Sequence, residues 1–157
     1  MLLLLAFGLG IVAGLRSMTA PAVVAWAARL GHLDLASTPL AWLGSAVAAW
    51  LLAAAAVGEL IADKLPFTPN RTALGPFVAR LVTGVLAGGA LVAGQGGSLA
   101  GGAVAGAAGA VVGTFGSYRA RTGLVRALGT PDYVVALLED LVAVGGAILL
   151  VLSARQG

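Results

Sequence analysis

The chain has 157 residues, 60% of them hydrophobic and only 10% charged, with a formal net charge of +3. Soluble domains carry about 25% charged residues, so this composition excludes an ordinary soluble fold and reads, with a mean hydropathy of +1.03, as an integral membrane protein. There is no cysteine and a single histidine, His32, which removes disulfides, thiolate zinc sites, cysteine nucleophiles and histidine-rich metal centres.

The first apolar run covers residues 2–15 and is shorter than the ~20 residues a spanning helix needs. It has the length of a signal-peptide core, but no basic residue precedes it, so it is expected to be retained. Arg16-Ser17-Met18-Thr19-Ala20-Pro21 then reads as a break followed by a new helix start, and residues 22–30 continue the segment. Residues 31–38 read as a polar loop. Segment two, from Pro39 to about Lys64, is the clearest spanning helix, and Pro66 and Pro69 end it. Segment three covers about residues 75–94 and carries Arg80 near its start. Segment four, residues 99–118, is uncharged and rich in glycine. The pairs Gly97/Gly101, Gly102/Gly106 and Gly109/Gly113 are each spaced by four, which lets helix backbones approach closely. Residues 119–128 form a separate basic amphipathic piece with Arg119, Arg121 and Arg126. Segment five covers about residues 133–153.

A weak internal repeat accompanies this order. In each half a glycine-spaced apolar helix meets an arginine (Arg16, Arg119) and a short helix. A proline (Pro39, Pro131) then leads into an apolar helix that bears acids. The reading is an all-α membrane domain of about five transmembrane segments, the first broken at residues 16–21. Repeat one covers about 1–66, a linking helix about 73–94, and repeat two about 98–157. A single intervening crossing inverts the second copy, the plan of many secondary transporters. The side shared by Met1 and the loops near 65–80 and 119–132 carries Lys64, Arg71, Arg80, Arg119, Arg121 and Arg126. The other side carries Arg29 and Arg155. This asymmetry predicts a cytoplasmic N-terminus.

The chemistry-bearing residues are acids at the mouths of apolar helices. Glu59 and Asp63 are four residues apart, on one helix face. Glu139 and Asp140 lie inside the last apolar segment. At 1.5 Å per residue Glu59 is about 10 Å in from Pro66 and Glu139 about 12 Å in from Pro131, so the acids share one depth. Adjacent helical residues point about 100° apart, so one of Glu139 and Asp140 is expected to face the interior. Ionisable groups within a membrane are costly and mark ion or proton pathways by default. The competing reading is charge pairing with Arg16, Arg80 or Arg119 that fixes helix packing. Arg16, Ser17 and Thr19 at a new helix start would suit an anion. They also suit plain capping with an ion pair to Glu59 or Asp63. Arg71, Arg119, Arg121 and Arg126 could contact anionic lipid or serve as topology anchors. No nucleophile–base pair, nucleotide loop or zinc spacing is visible, so the sequence predicts neither an enzyme nor a cofactor, and it leaves open whether a metal ion binds.

Gly14-Leu-Arg-Ser-Met-Thr-Ala-Pro21, Glu59-Leu-Ile-Ala-Asp-Lys-Leu-Pro66 with Thr68-Pro-Asn-Arg-Thr72, and Pro131-Asp132 with Ala136-Leu-Leu-Glu-Asp140 together resemble the pattern of domain-of-unknown-function family 4126. The resemblance covers nearly the whole chain. It implies a small multi-spanning protein of the bacterial inner membrane and assigns no activity. The expected function is a small secondary transporter or channel for an ion or small solute, with or without proton coupling, and with Glu59, Asp63, Glu139, Asp140, Arg16, Ser17 and Thr19 at its site. The alternative is a non-transporting membrane scaffold or lipid-binding protein. The expected partners are the lipid bilayer and a second copy in a homodimer, with no nucleic acid.

Overall fold

A computed structural model describes residues 1–62, 74–128 and 132–154, apart from the side chains of 121–122, 124–128 and 132–133. The described residues form six α-helices and no strand: α1 Leu2–Leu15, α2 Thr19–Arg29, α3 Ala46–Ala62, α4 Leu74–Ala93, α5 Leu99–Leu128 and α6 Asp132–Ala154. Among the described residues, three stretches are long and apolar enough to cross a membrane: Leu74–Ala93, Leu99–Ala120 and Val134–Ala154. The apolar helices α1 and α3 are shorter, at 14 and 17 residues.

The core is a glycine-mediated contact of α1, α4 and α5. Gly102 and Gly106 of α5 lie on Gly88 and Gly84 of α4, and Gly109 and Gly113 lie on Phe7, Gly10 and Ile11 of α1. A Cβ on Gly106 would collide with the Gly84 carbonyl oxygen, and one on Gly109 with the Phe7 carbonyl oxygen. The backbones approach this closely only because those side chains are absent. The ladder read from the sequence is thus used on two faces inside one chain.

The break in the first segment falls at Arg16–Met18. Arg16 is extended, at φ −139° and ψ 110°, and its N–H bonds back to the Val12 carbonyl. Pro21 explains the position. It has no N–H and its ring clashes with the preceding turn, so it is tolerated only in the first turn of a helix. α2 therefore starts at Thr19, two residues before it.

α2 and α4 end alike. Gly31 and Gly96 both sit at φ +76°, where only glycine is comfortable. The His32 N–H bonds to the Ala27 carbonyl and the Gly97 N–H to the Val92 carbonyl, which closes each helix with a Schellman turn. The segment after Gly31 is less polar in its role than its sequence suggests. Leu33 and Leu35 are buried in the core, and the Asp34 N–H donates to the Gly94 carbonyl at 3.2 Å.

Two expected boundaries change. Segment two is not one helix from Pro39. A 3-10 turn covers Ala41–Gly44, and Ser45 is extended. The Ser45 hydroxyl then accepts the Ala48 N–H at 3.1 Å, so it caps α3 and sets the start at Ala46. Conversely, the basic piece after residue 118 is not separate. α5 is continuous through Leu128, 30 residues in all. Gly116 and Gly123 each cost about 1 kcal/mol of helix propensity, too little to break a helix that contains no proline.

Candidate functional site

The charged groups gather at the break between α1 and α2. Glu59, on α3, faces its two exposed ends. One carboxylate oxygen accepts the Ser17 N–H and the Ser17 hydroxyl, each at 2.8 Å. The other accepts the Met18 N–H, also at 2.8 Å. The first N–H groups of a helix have no partner within it, and the helix dipole favours negative charge at that end. Glu59 therefore caps α2 from 42 residues away in the chain.

Arg16, one residue earlier, turns the other way. Its side chain is fully buried and its Nη2 lies 2.6 Å from Asp140 Oδ1 on α6. The contact is a close charge pair rather than an aligned hydrogen bond. The extended backbone at Arg16 makes this division possible, since successive groups of an extended chain point to opposite sides. Burying either charge alone would be costly, so each holds the other in place. Three helices are thus tied to the break: α3 through Glu59, α6 through Asp140 and α2 through its own start.

Of the two acids on α6, Asp140 is the buried one. Glu139 is half-buried and borders an apolar recess against Ile11 and Leu15 of α1 and Ser117 of α5. Of the partners expected for Arg16, Glu59 instead takes Ser17 and Met18, and Asp140 is the acid beside the guanidinium. Thr19 is 2% exposed, and its hydroxyl has no hydrogen-bond partner among the described residues. Arg80 is also buried, at 4% exposure, on α4. Arg119 is exposed. Asp63 and Arg71 lie outside the described residues, as do the side chains of Arg121 and Arg126. Among the described residues, no group of three or more His, Cys, Asp or Glu side chains is placed to hold a metal ion.

The new helix start was legible as a place suited to an anion, but not that the Ser17 and Met18 N–H groups take Glu59 there, because a backbone donor has no residue type. Thr83, Thr114 and Ser117 are buried hydroxyls that sequence reasoning also passed over. Each bonds a carbonyl of its own helix, at 3.0, 2.8 and 3.2 Å, and so adds nothing to the site.

Long apolar helices around a buried polar break define an α-helical protein of membrane type. The chain matches the family model described as Domain of unknown function (DUF4126) over residues 3–154, and it belongs to that family. No curated protein matches it, and no solved structure does.

Proposed function

We propose that this protein is a small membrane transporter or channel for an ion or small solute, and that the α1–α2 break is its polar site. The observation that supports the reading is the convergence of charge on three consecutive residues. Glu59 holds the start of α2, while Asp140 holds Arg16 beside it. Discontinuous helices whose ends face polar groups are the usual binding elements of secondary transporters. In this reading a proton or cation that reached Glu59 would compete with Ser17 and Met18 for its oxygens. Release of those donors would free α2 to shift against α3. The reading includes five crossings in an inverted repeat, with the N-terminus on the cytoplasmic side of a bacterial inner membrane. It assigns no chemical step and no cofactor. A homodimer is part of it. Reconstitution in proteoliposomes tests it: Glu59→Gln should abolish ion or solute flux while the protein stays folded.

A second reading has its own observation. Within the chain, Glu59 is met by three donors and Arg16 by an acid, as packing ties would be. A non-transporting scaffold, or a lipid-binding protein using Arg119, Arg121 and Arg126, would show no flux in the wild type. Its lipid selectivity would be lost when those arginines become glutamine.

A further inference from the structure

A groove of about 550 Å³ runs along α2 between α3 and α6. Thr19 and Trp26 of α2 line it, together with Ala56 and Leu60 of α3 and Ile148 and Val151 of α6. We infer that this groove binds a single long-chain amphiphile, a free fatty acid or long-chain alcohol, with its oxygen head against Thr19. The inference is independent of the transport reading, since it places a ligand beside the charged break and not in it.

Three observations carry it. The lining is apolar except for Thr19 and for His32 at the far rim, and its size falls within the ordinary range for small-molecule sites. Such a cavity does not hold water well, because water needs two or more polar partners. An alkyl chain suits it. The second observation is length. The groove follows α2, whose eleven residues span about 16 Å at 1.5 Å per residue. That is about half of a ~30 Å hydrocarbon core, the depth one lipid chain occupies. The groove also opens between the outward apolar faces of α3 and α6, where Val57, Ile148 and Leu152 are 55, 43 and 43% exposed, so a chain can enter sideways from lipid.

The third observation sets the head. The Thr19 hydroxyl is buried at the start of α2, lines the groove and lacks a hydrogen-bond partner among the described residues. A buried hydroxyl without a partner is unfavourable. A pure hydrocarbon would leave it so. A carboxyl or hydroxyl head gives it an acceptor.

Trp26 makes the groove readable. It lines the groove and packs edge-on against Trp50, with ring centroids 5.1 Å apart. In a Trp42→Phe/Trp50→Phe background it is the one tryptophan left of three. The protein in nanodiscs is titrated with a long-chain carboxylic acid brominated at mid-chain, and in parallel with the hydrocarbon brominated alike. Trp26 fluorescence should fall and saturate with the acid. Ala56→Phe should remove the saturable part, and Ala53→Leu should do the same if the larger change disturbs folding, which thermal unfolding checks. Thr19→Val should weaken the acid severalfold, up to about tenfold for one lost hydrogen bond, and leave the hydrocarbon unchanged. Quenching that rises without saturation, or that ignores both groove-filling variants, would mean contact with bulk lipid only and would overturn the inference. Equal loss of acid and hydrocarbon in Thr19→Val would overturn it too. So would a Trp26 shielded from both probes in a dimer that Ala56→Phe converts to monomer, since a second copy would then fill the groove.

Discussion

Arg16 and Asp140 stand near opposite ends of the sequence, yet their Nη2 and Oδ1 atoms are 2.6 Å apart in the protein interior. The pair closes the bundle by tying the first helix to the last. Its neighbour contact, Glu59 on Ser17 and Met18, ties in the helix between them in the chain.

Breaking the buried pair should be severe. Asp140→Asn or Arg16→Gln leaves one charge without its counter-charge, a change that costs about 3–5 kcal/mol in comparable sites. The double variant Arg16→Met/Asp140→Leu should recover much of that loss, because apolar residues of similar size replace both charges. Thermal unfolding in one detergent of the wild type, Arg16→Met, Asp140→Leu and the double variant, arranged as a double-mutant cycle, measures the coupling. Additive single effects would contradict the pairing.

Glu59→Ala should cost less, about 1–3 kcal/mol, the range for charged hydrogen bonds and helix caps. Glu59→Gln should lie between it and the wild type, since an amide offers one acceptor oxygen in place of two. The same unfolding assay ranks them. A loss in Glu59→Ala as large as in Arg16→Gln would show that Glu59 also carries a buried charge pair.

The glycines divide by what surrounds them. Gly106→Ala and Gly109→Ala should each disrupt folding, because a Cβ would meet the backbone of α4 or α1. Gly145→Ala meets nothing within 4 Å and should stabilise α6 by up to about 1 kcal/mol through helix propensity. Yield of monodisperse protein and its Tm separate the two classes. A tolerated Gly106→Ala would count against the α4–α5 contact.

Gly31→Ala should destabilise modestly, by about 1 kcal/mol, because φ is +76° and the space is open. Gly96→Ala should behave alike for the same reason, with the Tm shift as readout.

Much of this was legible in the sequence, for reasons that particular residues make clear. α4 and α6 were found to within a residue or two, since long apolar runs between Gly, Pro and Asp leave little choice. Pro21 announced the break. The start of α3 was missed because Gly44-Ser45 was read as part of an apolar run rather than as a cap. α5 was divided wrongly because its arginines suggested a boundary, although charge alone does not end a helix. Glu59 and Asp140 were both named as site residues. Arg16 and Ser17 were named with them, but not which acid meets which, because pairing depends on which way the chain turns at Arg16, and residue spacing carries no record of that.

The central claim is that the α1–α2 break is a water-accessible polar site and not a sealed packing tie. The absence of native cysteine allows a direct measurement. Met18→Cys leaves the backbone N–H that Glu59 accepts, and its half-buried side chain reports on the break. The variant is exposed in intact proteoliposomes to a charged, membrane-impermeant thiol reagent, and its labelling rate is compared with that after detergent unfolding. The expected result is labelling in the folded state, slowed when Glu59 and Asp140 are intact and quickened by Glu59→Gln. No labelling of the folded protein, with or without Glu59→Gln, would contradict the claim.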